Sequence, residues 1–243
     1  MGRRIALIPA HDEAATVARV VAGALPHVDA VRVVDDGSSD DTAAEARSAG
    51  AQVVAHAENR GKGRRLAEGL DAAFAAGAEA VVTLDADGQH DPGAIPAFLA
   101  AAEAHPGALV IGNRFHDPAA IPRGRARSIR FGNFFVGWAC GQAVPDAQCG
   151  MRLYPRSAWR AAAVPEPLRE RFVFETAVLL HAAEAGVPFV FVPVAARYAG
   201  FQQRPSHFRP AADFAEITVA VTRFLVTRGL RPRGLLRALR ALR

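Results

Sequence analysis

The sequence predicts an α/β domain with a mostly parallel sheet flanked by helices. Short runs of β-branched residues alternate with segments in which apolar residues recur every three or four positions. This alternation is typical of βαβ units. Polar motifs follow the strand-like runs, and ligand sites of parallel sheets lie at the carboxyl ends of the strands. With 243 residues, of which 51% are hydrophobic, the chain is long enough to bury a full core.

The individual elements follow this alternation most clearly in the first half of the chain. The predicted strands are 4–9, 31–34, 53–56, 80–84, 109–111, 148–154 and 189–192. The predicted helices are 13–25, a segment after Thr42, 64–76, 92–104, 172–185, 211–226 and 235–242. Asp91 is expected to cap the helix that starts at Pro92. We divide the chain into a main domain, 1–210, and a C-terminal helical segment, 211–243.

The most informative polar motif follows the 80–84 strand. Asp85 and Asp87 are two residues apart, so they would face the same way in an extended backbone. Gly88 permits a turn that brings Gln89 beside them. Two acids and an amide suit Mg²⁺ or Mn²⁺, which complete their coordination with water and substrate phosphate. The sequence therefore predicts a divalent cation site at this strand end.

Composition and charge narrow the classes of partner. The net charge is +5, and the arginines are concentrated in 114–130 and 197–243. Basic chains usually contact nucleic acid or anionic membranes. The sequence has neither the aromatic-basic pattern of an RNA-binding sheet nor a helix-turn-helix pattern, so we expect lipid phosphate and no nucleic acid. Cys140 and Cys149 are expected to be packing residues in a reducing compartment.

The location in the cell is predicted from the apolar runs and from the last helix. No apolar run is long enough for a transmembrane helix, and the first residues do not resemble a signal peptide. We therefore expect a cytoplasmic protein, peripheral on the inner face of the cell membrane. The last helix would carry Leu235, Leu236, Leu239 and Leu242 on one face and Arg233, Arg237, Arg240 and Arg243 towards the other. This pattern is typical of a helix in a membrane interface, and packing on the chain's own domain or on a second subunit fits it equally well.

Six motifs in register resemble those of inverting glycosyltransferases with the GT-A fold. They are 8–13, 33–42, 59–63, 85–90, 112–114 and 148–154, and shorter pieces at 174–175, 192–194 and 206–213 agree in order. Within that group the chain is most similar to the dolichyl-phosphate mannosyltransferase and bacterial polyprenyl-phosphate glycosyltransferase type. The resemblance covers most of the chain. It departs at His11 and Asp12, where relatives usually carry an aromatic residue and an asparagine.

The resemblance implies a nucleotide-diphosphate sugar donor, a polyprenyl phosphate acceptor and Mg²⁺ or Mn²⁺; a separate membrane partner is compatible with it. The metal ligands would be Asp85, Asp87 and Gln89. The donor would be bound by Pro9, Ala10, Glu13, Val34, Asp36, Lys62, Asp85 and Ala86. The acceptor phosphate would be bound by Arg123, Arg127, Arg130, Ser206 and His207. The catalytic residues would be Asp87, Arg114 and Arg209.

The chemistry of the acceptor decides whether a general base is needed. A polyprenyl phosphate is already anionic at pH 7, so its transfer depends on positioning and on charge stabilisation. Lys62, between two glycines, can approach a phosphate closely, and the guanidinium fork of Arg114 matches phosphate oxygens. If the acceptor were a sugar hydroxyl, Glu175 or Asp146 would be the candidate base.

Two further classes fit the pattern less well. A sugar-phosphate nucleotidylyltransferase would need a glycine-rich, arginine-bearing loop near the first strand, and residues 8–12 are not of that kind. A non-catalytic protein that kept only the pocket is disfavoured because Asp85, Asp87 and Gln89 are all present.

Overall fold

The computed structural model describes residues 2–117, 121, 123–170, 172–195 and 210–240, with the backbone alone for residues 123, 125 and 210–214. Its strands form a seven-stranded sheet in the order β3-β2-β1-β4-β6-β5-β7. The strands are β1 (Arg4–Ala10), β2 (Ala30–Asp35), β3 (Gln52–Ala55), β4 (Ala80–Thr83), β5 (Leu109–Asn113), β6 (Arg152–Pro155) and β7 (Phe189–Pro193). The α-helices are α1 (Val17–Ala24), α2 (Thr42–Ser48), α3 (Lys62–Ala75), α4 (Ile95–Ala104), α5 (Arg123–Cys140), α6 (Arg156–Ala162), α7 (Val173–Glu184), α8 (Pro210–Thr227) and α9 (Pro232–Arg240).

The sheet is parallel except at β6, which runs antiparallel to both β4 and β5. Strands β1, β2, β3 and β4 are parallel, and so are β5 and β7. The predicted α/β class with a mostly parallel sheet is confirmed. The predicted sheet edge that collects the polar motifs is therefore the one where β1, β2 and β4 end.

The sheet is buried on both faces. Ile5 and Leu7 of β1 belong to one apolar cluster, and Ala6 and Ile8 belong to another. Alternate residues of a strand point to opposite faces, so the two clusters lie on either side of the sheet. This double burial explains why the strands read as continuous apolar runs in the sequence.

Several predicted bounds differ from the structure. The helix expected from residue 13 begins at Val17, because residues 13–16 form a turn in which Thr16 N and Val17 N both donate to Glu13 O at 3.0 Å. The strand expected over 148–154 is confined to β6, and α6 was not predicted. The expected cap is confirmed, since Asp91 accepts a hydrogen bond from Gly93 N at 3.0 Å in front of a short 3₁₀ turn and α4.

The C-terminal helices pack on the rest of the chain. Val221, Phe224 and Leu225 of α8 belong to the same apolar cluster as the inner side of α7. Helix α9 lies against α5, with Gly234 and Ala238 buried. The division at residue 210 coincides with the start of α8 and stays a prediction. Within the described residues, no helix combines the length and apolar character needed to cross a membrane.

Candidate active site

The predicted donor-binding residues of the first strands lie at the sheet edge where β1 and β2 end. Pro9 pairs with Val34 in the register of these two strands, and Ala10 pairs with Asp35. The side chains of Pro9, Ala10 and Val34 are buried. These three residues line the carboxyl ends of β1 and β2, and their contact with a nucleotide stays a prediction.

The acidic motif occupies the loop between β4 and the turn that leads into α4. Gly88 adopts φ +74°, a conformation that residues with a Cβ rarely adopt, so the predicted turn is present. Gln89 N donates to Asp87 Oδ1 at 2.9 Å, and Ala86 is buried under the loop. The turn thus fixes the Asp87 carboxylate close to residue 89, as the spacing predicted.

Lys62 reaches this loop from the first turn of α3. Its Nζ lies 2.6 Å from Asp85 Oδ1 and 3.3 Å from each carboxylate oxygen of Glu175, which lies in the first turn of α7. The Lys62 side chain is 21% exposed and that of Glu175 is 10% exposed. Three elements that are distant in sequence therefore meet at one ammonium group.

The second oxygen of Asp85 faces two other residues. A Cβ atom on residue 150 would lie 2.6 Å from Asp85 Oδ2, so a larger residue than glycine at position 150 would displace the Asp85 carboxylate. His90 Nδ1 lies 3.6 Å from the same oxygen, is buried and has no hydrogen-bond partner among the described residues. The other ring nitrogen of His90 is 3.7 Å from the Cys149 sulfur. Asp85 Oδ2 is therefore closely surrounded by protein.

The two acids of the motif differ in their pKa values. Burial raises the pKa of Asp85, but the charges of Lys62, His90 and Arg114 outweigh this effect and lower that pKa to about 2. Burial and the Asp85 charge raise the pKa of Asp87 to about 6, and Glu13 contributes in the same direction. Asp87 thus has too little positive charge around it, and a divalent cation would supply that charge.

These residues fit Mg²⁺ or Mn²⁺. Within the described part of the chain, no group of three or more His, Cys, Asp and Glu side chains is arranged to hold a metal ion. A hard divalent ion needs only one or two protein carboxylates when substrate phosphates and water complete its shell. Asp85, Asp87 and Gln89 remain the predicted ligands, and the raised pKa of Asp87 is the feature that favours them.

Asp36, predicted to contact the nucleotide, is already bonded to the protein. Its carboxylate accepts hydrogen bonds from Arg65 Nε at 2.6 Å, Arg60 N at 2.8 Å and Gly61 N at 2.7 Å. Arg65 is buried and also donates to Glu58 O. Asp36 therefore holds the loop in front of α3, and any donor contact would come in addition to this structural role.

The charge of Glu13 raises the pKa of Asp87, whereas the charge of Lys62 lowers it. The Glu13 side chain accepts a hydrogen bond from Thr16 Oγ1 at 2.9 Å, and its backbone N–H donates to Thr42 Oγ1 at 2.7 Å. These bonds tie the residue to α1 and α2. Glu13 stays a predicted donor ligand.

Arg114, predicted to bind phosphate, is engaged by Asp146. Arg114 Nε and Nη2 donate to the two carboxylate oxygens at 2.7 and 2.8 Å, and both residues are buried. A two-point phosphate contact would need the same N–H groups. The guanidinium fork of Arg114 therefore faces Asp146, and the phosphate-binding and catalytic role of Arg114 stays a prediction. The pairing also removes Asp146 as an accessible base, since both of its oxygens accept bonds from a cation.

The predicted acceptor residues are only partly within the described chain. Arg127 and Arg130 are exposed on the first half of α5, and the Arg130 guanidinium lies 5.5 Å from the ring centre of Phe115. The Arg123 side chain and residues Ser206, His207 and Arg209 lie outside the described residues. Their assignment to the acceptor phosphate or to catalysis stays a prediction.

The sequence analysis missed two residues that shape the site. His90 contacts Asp85, although its position beside Gln89 in the motif was a usable signal. Arg152 is fully buried and donates to three backbone carbonyls, those of Cys149, Glu175 and Ala147, at 2.7–3.0 Å. It therefore links the 147–149 segment to the start of α7, and no sequence pattern distinguishes such an arginine from an exposed one.

Two known glycosyltransferases are similar to this chain in sequence. The UDP-N-acetylglucosamine–dolichyl-phosphate N-acetylglucosaminyltransferase of Methanococcus voltae is 28% identical over 187 residues, covering 68% of this chain and 73% of that protein. The polyprenol monophosphomannose synthase of Mycolicibacterium smegmatis is 27% identical over 205 residues, covering 79% of this chain and 76% of that protein.

Among solved structures, glucosyl-3-phosphoglycerate synthase from Mycobacterium tuberculosis, in complex with Mn²⁺, UDP and glucosyl-3-phosphoglycerate, is similar with a TM-score of 0.66 at 21% identity. The match covers 93% of this chain and 80% of that chain. The predicted GT-A fold is confirmed. The sequence profile of glycosyl transferase family 2 matches residues 5–161. The chain therefore belongs to glycosyl transferase family 2 and is a glycosyltransferase.

Proposed function

We propose that the protein transfers a sugar from a nucleotide-diphosphate sugar to a polyprenyl phosphate, with inversion at the anomeric carbon. A phosphate oxygen of the acceptor forms the new bond to that carbon. The bond from the carbon to the donor diphosphate breaks, and the nucleoside diphosphate leaves with the electron pair. A bound Mg²⁺ or Mn²⁺ would stabilise the negative charge of this leaving group.

The donor end of the site is formed by the edge of β1 and β2 together with the loop that follows β4. Asp85, Asp87 and Gln89 are the proposed metal ligands, and the raised pKa of Asp87 supports a cation there. Lys62 provides a second positive charge within reach of a diphosphate. The similar mycobacterial structure, a complex with Mn²⁺ and UDP, supports a donor of this kind.

A phosphate acceptor is favoured because the two candidate bases, Asp146 and Glu175, are both paired with positively charged side chains. Asp146 is fully buried, and Arg114 occupies both of its oxygens. Both oxygens of Glu175 lie 3.3 Å from the Lys62 ammonium group. Neither carboxylate is poised to remove a proton, and an acceptor that is already anionic needs no base. The similarity to a dolichyl-phosphate N-acetylglucosaminyltransferase and to a polyprenol monophosphomannose synthase supports the same class of acceptor.

A hydroxyl acceptor is the second candidate. Glu175 lies in the first turn of α7 at the site, and it could accept a proton if Lys62 moved away. The similar mycobacterial structure carries a glucosylated phosphoglycerate. The acceptor experiment below separates the two candidates.

The proposed location is the cytoplasmic face of the membrane, with the protein bound peripherally to anionic lipid. Five of the seven exposed large hydrophobic residues in the described chain lie in α8, α9 and their connection: Val219, Val226, Leu230, Leu236 and Leu239. Exposed arginines share these helices, namely Arg223, Arg233, Arg237 and Arg240. Apolar side chains beside basic ones suit an anionic lipid surface.

The reaction is tested by measuring transfer of radiolabelled sugar from UDP-glucose, UDP-N-acetylglucosamine and GDP-mannose in the presence of Mn²⁺. The acceptors are a polyprenyl phosphate, the matching polyprenol and 3-phosphoglycerate. We expect transfer to the phosphate and none to the alcohol, because only the phosphate is ionised. Transfer to the alcohol at an equal rate, or to 3-phosphoglycerate alone, would reject the proposed acceptor.

Two controls address the metal and the fold. EDTA should abolish transfer, and excess Mg²⁺ or Mn²⁺ should restore it. Asp87→Asn should lose transfer without lowering the unfolding midpoint of the metal-free protein, since this loop carboxylate contributes little to the core and its charge is unfavourable beside Asp85. Full activity in EDTA would contradict a metal-dependent donor site.

A further inference from the structure

The ammonium group of Lys62 occupies the side of Asp85 on which a divalent ion would bind. Nζ lies 2.6 Å from Asp85 Oδ1, the shortest of its contacts to the two carboxylates. The other oxygen, Oδ2, is packed against Gly150 and lies 3.6 Å from His90 Nδ1. A cation that binds Asp85 must therefore approach through Oδ1, where it meets Lys62.

A divalent ion and an ammonium group at one carboxylate oxygen repel each other, and this repulsion is strong at a partly buried site. Lys62 also lies within 3.3 Å of both Glu175 oxygens, so a second carboxylate holds it in place. The competing positive charge is thus held by two carboxylates at once.

We propose that Lys62 is an exchangeable cation of the donor site, which leaves Asp85 only when a divalent ion and a diphosphate enter together. This inference rests on the proposed function. The diphosphate brings enough negative charge to bind both the ion and the displaced ammonium group. A divalent ion that arrives without a diphosphate would be repelled by Lys62, which would still be bound to Asp85 Oδ1. The metal and the nucleotide diphosphate should consequently strengthen each other's binding through this one side chain.

The local structure permits such an exchange. Lys62 is the first residue of α3, so its backbone is fixed by the helix and by the loop that Asp36 holds. Its side chain has four flexible methylene groups, and an ammonium group forms bonds without a fixed direction. The ammonium group can therefore turn from Asp85 towards a phosphate while it stays beside Glu175 and while α3 and the sheet keep their positions.

The test measures Mn²⁺ binding to the intact protein by the loss of the free-Mn²⁺ signal in electron paramagnetic resonance. Wild type, Lys62→Gln and Lys62→Arg are each titrated alone, with UDP and with GDP. We expect wild type to bind Mn²⁺ weakly alone and more tightly with one of the two nucleotides. Lys62→Gln should bind Mn²⁺ alone about 10-fold more tightly than wild type, within the range typical of coupled sites. Its gain on adding nucleotide should be correspondingly smaller.

Lys62→Arg keeps the charge and should keep the weak binding of Mn²⁺ alone. Arg60→Gln is the matched control, because it removes one exposed positive charge from the same loop without a contact to Asp85 among the described interactions. Its Mn²⁺ affinity without nucleotide should stay near that of wild type. Circular dichroism and unfolding midpoints of all variants establish that each is folded.

Two results would overturn the inference, and they differ in meaning. If wild type binds Mn²⁺ with a nucleotide but Lys62→Gln gains no affinity for Mn²⁺ alone, Lys62 does not compete with the metal and the proposed donor site stands. If no variant binds Mn²⁺ with either nucleotide, the proposed metal-dependent donor site itself is wrong.

Discussion

Asp146 holds the guanidinium group of Arg114 through both carboxylate oxygens, and it also accepts a hydrogen bond from the Arg114 backbone N–H at 3.1 Å. Arg114 follows β5 directly, and Asp146 lies in the segment between α5 and β6. Asp146 is 0% exposed and Arg114 7% exposed. The pair therefore joins the end of β5 to the segment between α5 and β6. This segment contains Gly150, which packs against Asp85.

Removal of the Asp146 charge should destabilise the fold strongly. Asp146→Asn would leave a buried guanidinium group without its counter-charge, which typically costs about 3–5 kcal/mol of the free energy of unfolding. Urea denaturation measures this loss. The comparison is Glu103→Gln, whose carboxylate is 51% exposed and pairs with Arg4; an exposed pair contributes at most about 1 kcal/mol. Similar losses for the two variants would show that Asp146 and Arg114 are not a buried structural pair.

Metal affinity should depend on pH through Asp87. Burial and the charge of Asp85 raise the pKa of Asp87 to about 6 from a model-peptide value of 3.8. The folded chain thus binds this proton more tightly than the unfolded chain does. In the absence of metal, this group's contribution to the free energy of unfolding decreases as pH rises from about 4 through about 6.

Mn²⁺ competes with the same proton, so its affinity should rise between pH 5 and about 6 and level off above pH 7. Isothermal titration calorimetry at pH 5, 6, 7 and 7.5 measures this, with UDP or GDP present throughout. Asp87→Asn should bind Mn²⁺ more weakly and lose the steep part of the pH dependence. Equal affinity of wild type at pH 5 and pH 7.5 would contradict a role for Asp87 as a metal ligand.

Asp12 should tolerate asparagine but not alanine. Its φ is +54°, a left-handed conformation in which Asn and Asp are the commonest residues after glycine. Its carboxylate accepts a hydrogen bond from Ser39 N at 2.7 Å, which is the main cause of its lowered pKa. Asp12→Ala loses this bond and strains the backbone, so we expect a loss of about 1–3 kcal/mol. Asp12→Asn retains an acceptor in a tolerated conformation and should lose less than about 1 kcal/mol.

Asp12→Gly separates the two contributions, because it relieves the backbone strain and still lacks the acceptor. Its stability, measured by urea denaturation, should fall between those of Asp12→Asn and Asp12→Ala. If Asp12→Ala were as stable as wild type, the left-handed conformation of this loop would be wrong. Relatives usually carry asparagine at the position of Asp12. Since both residues tolerate the left-handed conformation, this departure from the family pattern is compatible with the same loop backbone.

The elements that the sequence predicted well are those with a local signal. The alternation of apolar runs located β1, β2, β4 and the helices between them, and the Asp91-Pro92 pair located the start of the next helix. The placement of Asp85 and Asp87 at a strand end followed from the same local pattern. Local spacing also predicted the turn at Gly88.

The partners of buried charges could not be predicted in this way. Arg65 binds Asp36 across 29 residues, and Lys62 contacts Glu175 across 113 residues. The first pair depends on how the loop before α3 returns to the end of β2, and the second depends on where α7 begins. Neither is encoded by a periodic pattern. Arg114 therefore looked like an open phosphate ligand in the sequence, whereas its partner Asp146 lies 32 residues away.

Membrane binding should depend on Leu236 and Leu239 rather than on the whole set of leucines in α9. Leu236 is 58% and Leu239 45% exposed, whereas Leu235 is partly buried where α9 packs against α5; Leu242 lies outside the described residues. We expect the double variant Leu236→Ser/Leu239→Ser to bind anionic liposomes at least roughly tenfold more weakly, since full burial of one leucine contributes about 1.5–3 kcal/mol. Co-sedimentation measures the bound fraction.

The matched control is Val54→Ser, which removes a 46% exposed side chain from the edge strand β3. Its liposome binding should equal that of wild type. Each arginine near an anionic surface adds about 1 kcal/mol, so binding of wild type should also weaken as salt rises.

If the leucine variant co-sediments as wild type does while Phe131→Ser does not, the membrane contact lies at the start of α5. Phe131 is 59% exposed there, beside Arg127 and Arg130, and α9 would then serve only to cover α5.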